Sequence, residues 1–276
     1  MLNNTIKIGD SEFLELRDII YKQSAIVFVE NKKYLLENRL SKRIQELNFS
    51  SFKDYIYYLK YDINCRKELD LMINLVTINE TYFLRERPQL DHVVKVALPE
   101  IIAKGKKSIR IWSAACSTGE EPYSIAILIK EAGLQSKASI EIVGTDINSE
   151  VVEFARTGEY RSMSFRGAPN HFVPTYFKQD NVIYKLNDDI KHMVKFNVGN
   201  LTTLGIGTLM GKFDIIFCRN VLIYFDMDGK KKVIDMFYNT LNSPGYLYLG
   251  HSESVNKLST SYTVNVFGGG IVHLKQ

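Results

Sequence analysis

Cysteine is scarce in this chain of 276 residues, and Cys65, Cys116 and Cys218 lie far apart. An odd number of cysteines without a CxxC pair or a Cys/His cluster argues against a disulfide framework and against the usual zinc site. We therefore expect a reducing compartment, no disulfide bonds and no metal cofactor.

Long apolar runs are also missing. The first ten residues, MLNNTIKIGD, have no apolar core of the signal-peptide type, and no later run approaches the ~20 apolar residues of a membrane-spanning helix. We therefore expect a cytoplasmic protein that does not insert into the membrane. Low-complexity tracts and internal repeats are absent as well, which favours ordinary globular domains.

Neither sign of charge dominates, with 35 Lys and Arg against 31 Asp and Glu and a net charge of +4. This mild basicity fits an acidic partner, whereas proteins that bind nucleic acid cluster Lys and Arg far more heavily. Hydrophobic residues make up 45% of the chain, enough for one large core and a small second domain. We expect a monomer without a nucleic-acid partner.

The first part of the chain has helical periodicity and little strand or Gly/Pro punctuation. Between Asn31 and Leu47 the apolar residues recur at helical spacing: Leu36, Leu40, Ile44 and Leu47. This spacing places them on one face of a helix. Phe52–Leu59 and Leu69–Val76 are typical of further short helices. We predict an all-helical domain over residues 1–76.

From residue 77 onwards short apolar strands alternate with helices, which is typical of a doubly wound, mostly parallel sheet. The predicted strands are Ile109–Trp112, Ile140–Gly144, Phe213–Cys218 and Tyr246–Leu249, and the predicted helices include Glu120–Ala132, Glu150–Arg156 and Lys230–Leu241. The sequence therefore predicts an α/β domain over residues 77–276.

One stretch departs from this alternation. Tyr176–Lys178, Val182–Leu186 and Met193–Asn197 have the pattern of short strands, and Gln179–Asp180–Asn181 is typical of a tight turn between the first two. We predict a small antiparallel β-subdomain inserted at about residues 161–197.

The segment IRIWSAACSTGEEPYS (residues 109–124) runs from a strand through small residues into a helix. α/β folds bind nucleotides in such a place, beyond the carboxyl ends of the strands. The alternative is an ordinary strand–loop–helix connection. Asp146 ends the next predicted strand, where a carboxylate can accept hydrogen bonds from both ribose hydroxyls. Together the two features favour an adenosine-bearing ligand.

Glycine is too rare in this segment for a dinucleotide site, which needs G-x-G-x-x-G so that a pyrophosphate can lie against bare backbone. Only Gly119 is present, and Glu120 and Glu121 open the helix, where their charge repels a pyrophosphate. The same acidic pair suits a sulfonium cation and an amino group. The cofactor predicted is S-adenosylmethionine (SAM).

Two further segments carry polar groups suited to a substrate. INETYFLRE (residues 78–86) contains Arg85, for which a solvated position on a domain-joining helix is the alternative. FDIIFCRNVLIYFD (residues 213–226) reads as a buried strand that ends in Arg219–Asn220, with Tyr224 shortly after. The Asn/Asp-Pro-Pro-aromatic motif of amino methyltransferases that act on DNA is absent here.

With GYLYLGHSES (residues 245–254), these segments closely resemble the chemotaxis receptor glutamate methyltransferases, the CheR family. The resemblance covers nearly the whole chain. It implies transfer of a methyl group from SAM to glutamate side chains on the cytoplasmic helices of chemoreceptors, with S-adenosylhomocysteine as the product. By resemblance the cofactor contacts are Asn79, Thr81, Arg85, Glu121, Asp146, Asn200, Leu201, Arg219 and Asn220.

The resemblance also implies the two catalytic residues. A glutamate is already ionised at neutral pH and needs no general base, so catalysis consists of aligning oxygen, methyl carbon and sulfur. Arg85 is expected to clamp the glutamate and the Tyr224 hydroxyl to aim it. The rival functions are methylation of a small molecule or nucleic acid, and a non-catalytic member that binds the cofactor and signals through a partner.

A basic face on the helix after Asn31 is expected to dock the receptor. Its residues are Lys32, Arg39, Lys42 and Arg43, for which a solvated charged face is the alternative. Some members of the family also grip a peptide at the receptor C-terminus with a glycine-containing loop. The corresponding turn here, YFKQDNVIY (residues 176–184), is short and lacks glycine, so we expect independence of such a tether.

Overall fold

The computed structural model describes residues 5–255, 258–259 and 261–276. It divides into two compact units. The smaller unit consists of the segment that ends at Ile78 together with Ile147–Ser149 and Tyr224–Asp226, and the larger unit holds the remainder. Among the described residues, no helix is both long enough and apolar enough to span a bilayer.

The smaller unit is helical. Its helices are α1 (Asp10–Ser24), α2 (Lys33–Glu46), α3 (Phe52–Tyr61) and α4 (Cys65–Val76), with a 3-10 turn at Glu30–Lys32 before α2. The predicted apolar stripe on α2 is confirmed: Leu36, Leu40 and Ile44 are fully buried, and Leu47 packs against the same core after the helix has ended.

A buried charge network links three helices of this unit. Arg43 on α2 donates from Nη2 to Glu68 Oε2 at 2.6 Å and from Nε to Glu68 Oε1 at 3.0 Å. Tyr55 on α3 donates its hydroxyl to Glu68 Oε1 at 2.9 Å. Burial and the neighbouring Glu68 carboxylate raise the pKa of Tyr55 well above its usual range, so this hydroxyl remains a donor.

The larger unit is built on a mostly parallel sheet, which confirms the predicted fold class. The strands are β1 (Ser108–Ala114), β2 (Ser139–Asp146), β3 (Glu159–Tyr160), β4 (Phe177–Asp180), β5 (Ile183–Leu186), β6 (Val194–Val198), β7 (Phe213–Cys218), β8 (Leu241–Leu249), β9 (Thr263–Phe267) and β10 (Gly270–Lys275). Within the described residues the main sheet has the order β6-β2-β1-β7-β8-β10-β9. The first five of these strands are mutually parallel, and β10 pairs antiparallel with both β8 and β9.

Helices connect and cover these strands. They are α5 (Arg87–His92), α6 (Leu98–Ala103), α7 (Glu120–Glu131), α8 (Ser149–Thr157), α9 (Phe172–Tyr176), α10 (Asp188–Lys191), α11 (Ile206–Met210) and α12 (Met227–Thr240). A π-helical turn, Val93–Ala97, joins α5 to α6, and shorter 3-10 turns lie at Leu134–Ser136, Ser162–Phe165 and Leu222–Tyr224. Helix α7 is buried along most of its length because it packs against the central sheet.

The small antiparallel sheet has the order β3-β5-β4, and β4 and β5 form the predicted hairpin with a two-residue turn, Asn181–Val182. The strand predicted at Met193–Asn197 is confirmed as β6, Val194–Val198, but its place in the subdomain is wrong, because β6 pairs in parallel with β2 at the edge of the main sheet. Phe196 turns into the main core and lies where a Cβ on Gly144 would meet it at 2.8 Å. Glycine at this position lets the aromatic ring seat against β2.

The network around Glu68 predicts very different costs for two neighbouring substitutions on α2. Arg43→Met leaves the Glu68 carboxylate buried without its cation, so we expect a loss of about 3–5 kcal/mol in the free energy of unfolding. Lys42 is 80% exposed, and its ion pair with Glu46 is long, at 3.6 Å, and open to solvent. Lys42→Met should therefore lower the free energy of unfolding by less than about 0.5 kcal/mol. Urea denaturation of both variants measures the difference. Equal stability of the two would contradict a structural role for Arg43.

Candidate active site

The carboxyl ends of four adjacent parallel strands meet at one edge of the main sheet. In spatial order they are β2, β1, β7 and β8, which end at Asp146, Ala114, Cys218 and Leu249. Ligands of open α/β sheets bind at such an edge. Asp146, Arg219 and Asn220, three of the predicted cofactor contacts, fall on these strand ends or on the loops that follow them.

The loop between β1 and α7 is held in place by Asp146. The backbone N–H of Ser117 donates to Asp146 Oδ2 at 2.8 Å, and the Ser117 hydroxyl donates to the carbonyl of Asn79 at 3.2 Å. Gly119, with φ of +92°, opens α7 in the left-handed region. A Cβ there would meet the Ala155 Cβ at 2.9 Å, so this glycine serves close packing.

Arg219 joins segments that are far apart in the sequence. Its side chain is almost completely buried and donates from Nε to Glu121 Oε2 at 2.6 Å and from Nη1 to the carbonyl of Arg85 at 2.8 Å. Glu86 Oε2 lies 3.6 Å from the same Nη1, and the Ser113 hydroxyl donates to the second oxygen of Glu121 at 2.6 Å. The structure thus brings Arg85, Glu121 and Arg219 together.

Glu120 faces a different environment from Glu121. Its carboxylate accepts hydrogen bonds from the hydroxyls of Thr118 at 2.6 Å and Ser164 at 3.0 Å. Burial raises the pKa of Glu120. Of the acidic pair that opens α7, only Glu121 is paired with Arg219.

The segment that carries Arg85 has an unusual backbone. Leu84 and Glu86 both have positive φ, +61° and +52°. Non-glycine residues adopt this region at some cost and only where the surroundings hold them there. The half-buried Arg85 side chain donates to the carbonyl of Glu80 at 2.8 Å, and its guanidinium carbon lies 5.7 Å from the centre of the Tyr82 ring.

The remaining predicted cofactor contacts lie close by in the larger unit. Thr81 is half-buried in the Arg85 segment. Asn200 and Leu201 follow β6, and the N–H of Gly199 donates to the carbonyl of Asp146 at 2.8 Å. Asn220 follows Arg219 and adopts a positive φ of +62°. Sequence reasoning missed Glu253, whose carboxylate accepts a hydrogen bond from the N–H of Asn220 at 2.8 Å.

Tyr224, the second predicted catalytic residue, belongs to the smaller unit. It ends the 3-10 turn Leu222–Tyr224, is half-buried, and accepts a hydrogen bond at its carbonyl from the N–H of Val27 at 2.9 Å. Its catalytic role stays a prediction from the family resemblance.

The four predicted docking residues are in two different states. Arg39 donates to the carbonyl of Val76 at 2.5 Å and caps the end of α4, and Arg43 is paired with Glu68. Lys32 and Lys42 are exposed. Both arginines thus have partners within the helical unit, and the docking role of the four residues stays a prediction.

The charges of the site fit the cofactor predicted from the sequence. Of six charged side chains assigned to the site, the carboxylates of Glu86, Glu121, Asp146 and Glu253 outnumber the guanidinium groups of Arg85 and Arg219. This surplus of negative charge favours a cationic ligand such as SAM, with its sulfonium and amino groups, and opposes a pyrophosphate. In the described part of the chain, no group of three or more His, Cys, Asp or Glu side chains is placed to hold a metal ion.

The burial of Glu120 predicts a pH-dependent effect on stability. Because its pKa is raised in the folded state, ionisation of Glu120 opposes folding, and the penalty develops as the pH rises above the unfolded value of about 4.3. Glu120→Gln removes this charge while Thr118 and Ser164 can rotate their hydroxyls to suit the amide. We expect the melting temperature of Glu120→Gln to exceed that of the wild type by about 2–4 °C at pH 8, which corresponds to ~1 kcal/mol in the free energy of unfolding for a chain of this size. At pH 4 we expect no such difference.

Thermal melting of Glu120→Gln and of Glu153→Gln, an exposed control on α8, tests this at both pH values. A lower melting temperature for Glu120→Gln at pH 8 would show that the ionised carboxylate stabilises the fold.

Comparisons with known proteins agree with this geometry. Residues 79–267 match the description "CheR methyltransferase, SAM binding domain", and residues 11–77 match "CheR methyltransferase, all-alpha domain". Chemotaxis protein methyltransferase 2 of Vibrio cholerae is 38% identical over 267 residues, which cover 96% of this chain and 92% of that protein. The chemotaxis protein methyltransferase of Borreliella burgdorferi is 35% identical over 260 residues, which cover 92% and 91%. The chain therefore belongs to the CheR family and is a SAM-dependent chemotaxis methyltransferase.

Proposed function

We propose that this enzyme methylates glutamate side chains on the cytoplasmic helices of chemoreceptors. The observation that carries the proposal is the buried Arg219, which links Glu121 on the cofactor side to the backbone of Arg85 on the substrate side. The names of the relatives, chemotaxis protein methyltransferases, support the receptor as the substrate.

The residues that would hold the cofactor are those at the carboxyl edge. We assign the amino acid end or ribose of SAM to Glu121 and a ribose contact to Asp146, with Asn79, Thr81, Arg85, Asn200, Leu201 and Asn220 completing the set. Bound SAM supplies an electrophilic methyl group on a positively charged sulfur. Arg219 belongs to the same predicted set, and its hydrogen bonds from Nε to Glu121 and from Nη1 to the Arg85 carbonyl hold both in place.

The proposed catalytic groups orient an ionised substrate. The Arg85 guanidinium binds the glutamate carboxylate by charge-assisted hydrogen bonds, and the Tyr224 hydroxyl aims one oxygen. Orientation of this kind can lower a barrier by roughly 7–11 kcal/mol. The substrate loses its negative charge as the ester forms, so the clamp must position the carboxylate without binding it too tightly.

Receptor docking is assigned to Lys32 and Lys42, the exposed members of the predicted basic face. They offer positive charge to helices rich in glutamate. We also propose that activity does not depend on a receptor C-terminal pentapeptide, because the β4–β5 turn is only two residues long and lacks glycine.

The test of the function is incubation with labelled SAM and a receptor cytoplasmic fragment, followed by mild base to release methyl esters. We expect base-labile label on the fragment. Arg85→Ala should lower the rate by about 10²–10³-fold, since a charged partner of the glutamate is lost, and Tyr224→Phe by about tenfold, since one neutral hydrogen bond is lost.

Label on RNA or on a metabolite would overturn the substrate, and absence of turnover with intact cofactor binding would favour a non-catalytic role. Near-wild-type methylation rates in both variants, with cofactor binding intact, would contradict the catalytic assignments of Arg85 and Tyr224. A receptor fragment that lacks its C-terminal pentapeptide should be methylated equally well.

The docking proposal predicts a salt-dependent effect of charge reversal. Lys32→Glu combined with Lys42→Glu should raise the KM for the receptor fragment about three- to tenfold at low salt, and the difference should shrink at 0.5 M salt as screening increases. Lys178→Glu, an exposed lysine on β4, is the control and should leave KM unchanged. An unchanged KM in the double variant would identify the lysines as a solvated face.

A further inference from the structure

A buried carboxylate that is not among the predicted site residues, that of Glu253, fixes the backbone after β7. Glu253 accepts hydrogen bonds at Oε2 from the N–H groups of Asn220 at 2.8 Å and Gly250 at 2.7 Å. Its Oε1 accepts from the N–H groups of Val221 at 2.8 Å and Ile223 at 3.3 Å. One side chain thus satisfies four backbone donors, three of them on the loop that follows Arg219.

The N–H groups of Asn220, Val221 and Ile223 lie beyond the end of β7. The chain leaves β7 at Cys218, and Asn220 takes a left-handed conformation, so its N–H and those after it are no longer directed at a neighbouring strand. A buried N–H without an acceptor destabilises the folded state. An ionised carboxylate has enough lone pairs for all four N–H groups, and its charge strengthens each bond.

The carboxylate reaches the loop because the chain after β8 turns back at a glycine. The N–H of Glu253 donates to the carbonyl of Gly250 at 2.9 Å, which closes a tight turn. A Cβ on Gly250 would lie 2.8 Å from both nitrogens of Asn220, backbone and side chain, and 2.9 Å from Glu253 Oε2. Any larger residue here would push the two loops apart.

We propose that Glu253 is a positioning residue for the cofactor site, which holds Asn220 in its binding conformation through the backbone, and that Gly250 permits the close approach this requires. The proposal rests on the assignment of Asn220 to the cofactor site. It does not depend on which substrate receives the methyl group.

A purely structural role is the alternative, and the same strand offers a matched control. Asp214, at the opposite end of β7, is also buried and accepts from the N–H of Arg110 at 2.9 Å, from the side-chain amide of Asn242 at 2.7 Å and from Lys106. Asp214→Asn therefore removes a comparable buried carboxylate from the edge of the sheet that lies away from the site.

The experiment measures the Kd of S-adenosylhomocysteine by calorimetry, together with thermal melting, for the full-length protein and its variants. In Glu253→Gln the amide nitrogen faces N–H donors and cannot accept from them, so we expect Kd to rise about ten- to a hundredfold. Asp214→Asn should lower the melting temperature about as much as Glu253→Gln does, but it should leave the Kd within twofold of the wild-type value. Gly250→Ala is the second variant should Glu253→Gln fail to fold, and it should weaken binding in the same direction.

A double-mutant cycle distinguishes action through Asn220 from a general loss of order. If Glu253 acts through Asn220, the effect of Glu253→Gln on Kd should largely disappear in an Asn220→Ala background. Wild-type Kd in Glu253→Gln, equal weakening in Asp214→Asn, or additive effects in the cycle would each overturn the proposal. Because no receptor is present in this assay, a failure of the glutamate assignment would show only in the methylation assay.

Discussion

The site depends on the pairing of one buried cation. Arg219 lies inside the protein, where an unpaired guanidinium would carry a large desolvation cost. Its planar fork reaches the Glu121 carboxylate with one nitrogen and the Arg85 carbonyl with another, and Glu86 adds a nearby negative charge. A lysine could not do this from one place, because its ammonium is a single point charge. Three segments separated by tens of residues are therefore held in one arrangement by one side chain.

This pairing also separates the roles of the two glutamates that open α7. Successive residues on a helix project about 100° apart, since a turn contains 3.6 residues. Glu121 consequently faces Arg219, while Glu120 faces Thr118 and Ser164. A pyrophosphate cofactor is opposed by the charge of Glu121 and of the other carboxylates at the strand ends. Glu120 contributes a buried charge to the other side of the helix.

Features that depend on local periodicity were predictable from the sequence. The stripe on α2, the strands β1, β2, β7 and β8 and the position of Asp146 all follow from patterns within a few residues. The partner of β6 did not follow, because a five-residue strand has the same alternation whether it pairs in parallel or antiparallel. The roles of Arg39 and Arg43 were also hidden, since their partners, Val76 and Glu68, come from another helix.

The contacts of Glu253 could not be predicted from the sequence, for a further reason. Its partners are backbone N–H groups, and these are the same for every residue type except proline, so no pattern of side chains marks them. The structure shows that Arg219 and Asn220, adjacent in the chain, are fixed by different means: the first by its side chain on Glu121, the second by its backbone on Glu253. Two carboxylates from separate segments thus hold one dipeptide at the strand end. A loop ordered in this way before the ligand arrives loses little entropy on binding, which is the physical advantage of placing both carboxylates in the protein interior.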